Sequence, residues 1–173
     1  MCQVWPGSPA GLTIRHSSEI LHSVSEENVA LVRRNYEVIN AIDRSGNEFV
    51  DPEEKAPDLW ASLAPDFELH GRPDVPDATV YRGREESKQF WRMLQEVFAE
   101  LRWEPRVIID LGHAVVVETR LVALGRGSDL RIESDETDVF WFREGAIVRV
   151  QGFATKAEAL DAAQVSLQDP SAD

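Results

Sequence analysis

The sequence is short of the residues that build several common kinds of site. Its one cysteine, Cys2, excludes an intramolecular disulfide and any cysteine-rich metal centre. Positive charge is scarce: 18 lysines and arginines stand against 31 aspartates and glutamates, a formal net charge of −13. Such a chain is a poor partner for nucleic acid or an anionic membrane surface, and its excess charge serves solubility. No apolar run reaches the length of a membrane span. The opening segment MCQVWPGSPAGLTIRHSSEILHS lacks the basic start and apolar centre of a secretory signal, so a cytoplasmic protein is expected. No glycine-rich loop leads into a helix to cradle phosphate, and there is no nucleophile elbow. His70 and His113 stand at no metal-ligand spacing. Neither a cofactor nor a metal is expected.

The chain does have the make-up of one soluble domain, with 43% hydrophobic and 28% charged residues in 173. Residues 1–22, with their Pro, Gly and Ser, read as a disordered extension, 23–163 as the domain and 164–173 as a polar tail. The organising stretch runs from His113 to Ala154 and reads as three long strands. They are joined by glycine turns at Gly125-Arg126-Gly127-Ser128-Asp129 and Arg143-Glu144-Gly145. Charged residues interrupt these apolar strands at Glu118, Arg120, Glu136, Asp138 and Arg149. Beside Phe140 and Phe142, they suggest the wall of a polar pocket.

Around that stretch the pattern is mixed. A capping box, Ser23-x-x-Glu26, opens a helix to about Asp43, with Val29, Val32, Tyr36 and Ile39 as its apolar stripe and Ser45-Gly46-Asn47 as its stop. A short helix is expected over Asp58 to Leu63, Trp60 and Leu63 packing inward and Pro65 closing it. Asp66 to His70 alternates as a strand, and a polar loop with Asp74 and Asp77 leads to a short strand at Thr79-Val80-Tyr81. Gly83 opens a helix whose stripe is Phe90, Leu94, Val97, Phe98 and Leu101, and the main sheet is expected to begin at Val107. Thr155-x-x-Glu158 caps a last short helix. This order is α+β. Three helices of the N-terminal half are wrapped by a curved, mostly antiparallel sheet, a cone with room inside.

The pieces VRRNYEVINAIDRSG, PDFELHGRPD…YRGREESKQFW, GRGS, VFWFREGAIVRVQGF and KAEALDAA, in that order, resemble the SnoaL-like group of the NTF2-like (cystatin-like cone) superfamily. The likeness spans Glu26 to Ala163 and implies the cone fold. The group holds ketosteroid isomerases, polyketide cyclases, dehydratases and epoxide hydrolases, so fold alone does not name the chemistry. The resemblance places Asp138 where the isomerases keep a protonated aspartic acid that donates to a developing enolate. It also shows two departures. The isomerase base position holds Gly71, and its tyrosine position holds Asn35, with Tyr36 roughly 100° further round the helix. Steroid isomerisation is therefore disfavoured.

His70, at a strand end, is the substitute base, its alternative being a hydrogen bond to a nearby carbonyl. Asp138 either lines the pocket or faces solvent paired with Arg120 or Arg149. Asn35, Tyr36, Trp60, Glu136, Phe140 and Phe142 are the other expected lining residues, although the stripe also gives Tyr36 a core position. Asp74 and Asp77 either cap the cavity or simply shape the turn. Glu118 and Arg120 share one strand face; period two does not say which face is inside, and the resemblance puts it in the cone. Two functions follow. One is a cofactor-free acid–base catalyst on a small apolar carbonyl compound, an isomerase, cyclase or dehydratase. The other is a non-catalytic module, binding a ligand or forming a homodimer through the open sheet face.

Overall fold

The computed structural model describes residues 16–42, 48–74, 78–128 and 130–165, with backbone alone for 16–24 and 165. The expected helix stop at residues 45–47, Asp77 and Asp129 lie outside the described residues, as do 1–15 and 166–173. The first helix, α1, spans His16–Ala41, so it begins ahead of Ser23, and the expected cap lies inside a helix. Two short helices follow, α2 (Pro52–Lys55) and α3 (Pro57–Ala61). Asp51 caps α2 by accepting the Glu53 N–H at 2.9 Å, and Pro52 holds its first position. Leu63 and Pro65 do not belong to a helix; both lie in β1 (Leu63–His70). The register against its neighbour shifts between Leu63 and Glu68, where Pro65 has no N–H to donate.

The short strand β2 (Val80–Arg82) leads into α4 (Gly83–Val97), whose first residue takes φ +70°. The apolar pattern predicts a helix to Leu101, but Phe98 is already extended and β3 runs Phe98–Asp110. Leu94 of α4, Leu101 of β3 and Ala123 join one cluster, so helix and strand supply the same patch and mimic one continuous stripe. The long strands are β4 (Ala114–Gly125), β5 (Arg131–Arg143) and β6 (Ala146–Phe153), closed by α5 (Lys156–Val165). At the β5–β6 turn both Glu144 (φ 54°) and Gly145 (φ 78°) are left-handed, as a tight hairpin requires. The second capping box forms as expected. The Thr155 N–H donates to Glu158 (3.2 Å) and the Glu158 N–H to the Thr155 hydroxyl (3.3 Å).

The sheet order is β2-β1-β6-β5-β4-β3, antiparallel except for the β1–β6 pair. Register shifts in β3 and at Trp141/Phe142 bend the long strands, so the sheet curves. Its inner face carries Val115, Val117, Phe140, Phe142 and Ile147 against Val32, Tyr36 and Ile39 of α1. The outer face carries Ala114, Val116, Val139, Trp141 and Phe153, covered by Ala159 and Ala163 of α5. Apolar residues on both faces near Val139 thus have a cover within the same chain. Two side-chain amides tie the helical layer down. Asn40 donates to the Trp103 carbonyl (2.6 Å) and accepts its N–H (2.9 Å); Gln95 and Val50 make the same pair at 2.9 Å each. No helix among the described residues is long and apolar enough to cross a membrane.

Candidate functional site

Between the inner face and the helices lies a cavity of about 490 Å³, the size of a small-molecule site. Most of its wall is apolar and aromatic. Tyr81, Phe90, Trp91 and Trp103 form a chain with ring centroids 5.4–6.2 Å apart, the first pair tilted and the other two edge to face. The acidic and basic groups of the wall gather at one end, where Arg72, just after β1, lies against β5 and β6.

Asp138 is the centre of that end. It lies on β5 opposite Gly152 of β6, half-buried, and its Oδ2 accepts the Tyr36 hydroxyl at 2.6 Å. Burial drives its acid well above the ordinary carboxyl range, to about 7, and the charge of Glu136 adds to this. The Tyr36 hydrogen bond, Arg72 and Thr119 oppose the rise. Burial first, then the charge of Asp138, pushes the Tyr36 phenol well above its usual range, so it remains a donor at neutral pH. Tyr36 also packs edge-on against Phe140, centroids 5.8 Å apart, so it belongs to both core and site. Glu136, two residues before Asp138 on the same face, accepts from Arg72 (3.0 Å) and the Ser134 hydroxyl (3.3 Å).

Of the other expected lining residues, Asn35, Trp60 and Phe140 border the cavity. Phe142 sits in the adjoining core instead. Three expectations are corrected. His70 touches the cavity rim, but its ring is not beside Asp138. It pairs in register with Gln151, whereas Asp138 pairs with Gly152, and successive strand residues face opposite sides. The imidazole is held at 2.7 Å by Glu68, which also meets Arg82 (3.3 Å) and Arg149 (3.4 Å). Arg149 in turn lies over the Trp141 ring of the outer face. Glu118 and Arg120 are outside as well: Glu118 pairs with Lys156 at the start of α5, and Arg120 with Glu133 and Asp135. The strand puts its more apolar face, Val115, Val117, Thr119 and Leu121, inward, where Val115 and Val117 pack in one cluster with Val32, Tyr36 and Ile39 of α1.

Two residues were not singled out in the sequence. Arg72 crosses the polar end, giving Nε and an NH₂ group to Asp74 (3.0 and 2.6 Å) and the other to Glu136. Asp74 thus anchors an arginine rather than capping the cavity directly. Gly152 makes the room. A side chain there would stand 3.1 Å from the Arg72 Cγ and 3.4 Å from Asp138 Oδ1. Nothing local marks either one; an arginine in a Pro- and Asp-rich loop looks like a surface residue.

This geometry can be set beside known proteins. The sequence model of the SnoaL-like domain family matches residues 32–150. The chain belongs to the SnoaL-like family. Solved structures agree on the fold. An NTF2-like protein of unknown function from Burkholderia pseudomallei is 22% identical, TM-score 0.59, over 78% of this chain and 95% of that one. A Jannaschia protein assigned by name only as a SnoaL-like polyketide cyclase is similar at 22% identity and TM-score 0.59, over 81% and 92% of the two chains. SalBIII, an epoxide hydrolase/cyclase-like enzyme of pyran ring formation in the polyether salinomycin, shares 15% identity at TM-score 0.55, over 76% and 93%. No curated protein matches by sequence. In this SnoaL-like chain, then, the cone carries a polar end built from Asp138, Tyr36, Glu136 and Arg72.

Proposed function

We propose that the protein binds a small, largely apolar carbonyl compound and moves a proton on it, with Asp138 as acid and base and no cofactor. The observation that carries this is one carboxyl group, hydrogen-bonded to Tyr36, at the end of an aromatic-walled cavity of about 490 Å³. An acid titrating near 7 is present in both forms at neutral pH, so one group can give a proton and take one back. Tyr36 holds Oδ2, while Oδ1 lies beside Gly152, which has no side chain to cover it. The ionised carboxylate would take the proton from the carbon next to the carbonyl. The acid so formed would give one back to that carbon or to the enolate oxygen, with the aromatic wall keeping bulk water from competing. The pyran-ring-forming role of the similarly folded SalBIII fits such a reading.

Deuterium uptake α to the carbonyl of 2-tetralone in D₂O tests it. Wild type is expected to exceed buffer and Asp138→Asn to lose tenfold or more of the excess. Equal rates for the two proteins would end the catalytic role. Binding without turnover is the second reading, favoured by the outward turn of His70, and it predicts tetralone binding with no excess exchange in either protein.

A further inference from the structure

The polar end of the cavity is richer in negative charge than in positive. Glu136 and Asp138 face it from one strand, their Cα atoms about 7 Å apart as alternate strand residues are. Arg72 is the one lysine or arginine among the described lining residues, and its guanidinium is already engaged by Asp74 and Glu136. Two carboxylates therefore share one cation before Asp138 is counted. The other groups that meet Asp138 add no positive charge: Tyr36 from α1, Thr119 from β4 and Gly152 from β6. The ring of His70 is turned to Glu68. The chain as a whole carries −13, which deepens the negative field. A ligand carboxylate entering this aromatic cavity would lose its hydration and meet no free cation, a costly exchange at low dielectric.

We infer that the cavity takes an uncharged ring compound bearing a carbonyl oxygen and turns away its carboxylate counterpart, with Glu136 as the specificity residue that keeps Arg72 from pairing with an anionic ligand. This rests on the proposed ligand-binding function and narrows its substrate class. Glu136 holds the guanidinium from the strand side and Asp74 from the loop side, so the arginine serves structure rather than ligand. Removing the Glu136 charge frees one face of it.

Two ligands of nearly equal size separate the possibilities, 2-acetylnaphthalene and 2-naphthoate, measured on the full-length protein by equilibrium dialysis at pH 8. The neutral ketone is expected to bind at least tenfold more tightly. In Glu136→Gln the preference should shrink threefold or more, through tighter naphthoate binding. Naphthoate binding as tightly as the ketone to wild type would overturn the inference while leaving the ligand site standing. Binding of neither would overturn the proposed function and the inference with it. A preference unchanged in a folded Glu136→Gln protein, its melting checked, would overturn the assignment to Glu136. The wild-type comparison stands whether or not that variant folds.

Discussion

Asp138 and Tyr36 meet across residues far apart in the chain, and the consequence can be read in stability as well as in chemistry. An acid raised to about 7 by burial binds its proton more tightly folded than unfolded. Its favourable contribution is whole below the ordinary carboxyl range, declines as pH rises and is gone above about 7. Asp138→Asn cannot ionise but can still accept the Tyr36 hydroxyl. The variant should therefore gain on wild type between about pH 4 and 7, by at most about 4 kcal/mol, and hold that gain at pH 8. Urea unfolding of both proteins at pH 5 and pH 8 checks this; a pH-independent difference would show that the carboxyl is not desolvated. At this scale the sequence was only partly legible. Asp138 stands out as a charge among aromatics, but Tyr36 shows only its place in an apolar stripe. Arg72 and His70 exchange importance once β1 and β6 are in register.

At the scale of elements, helices and strands are recognisable where period and caps agree. The second capping box and the glycine turns of the hairpins form as read, and the three long strands lie where alternation puts them. The errors fall where a tertiary partner supplies what the local pattern lacks. Pro65 reads as a helix stop, but a bulge lets a strand absorb it. Phe98 and Leu101 continue a helical stripe by spacing, yet they pair with Gly125 and Ala123 across the sheet. The helical layer is held by amide clamps no pattern foretells. Asn40→Ala would strand the N–H and carbonyl of Trp103 and should cost about 3 kcal/mol in denaturant unfolding, with no matching loss for the exposed Arg34→Ala.

For the whole molecule, α5 decides what the outer face can do. Its alanines close the apolar patch of Ala114, Val116, Val139 and Trp141, while Glu118, Arg120, Glu133 and Asp135 keep the neighbouring surface charged. A chain ending at Thr155 should uncover that patch and self-associate more strongly than the full chain in sedimentation velocity, and it should melt lower. The α+β class, the strand-rich second half and the acidic charge balance belong to the sequence itself, because period, turn chemistry and composition are local quantities. Which strand face is inside, which arginine is engaged and which carboxyl is desolvated depend on register and on what packs opposite. Period two is the same for both faces of a strand, and only the folded cone, with α1 on one side and α5 on the other, breaks that symmetry.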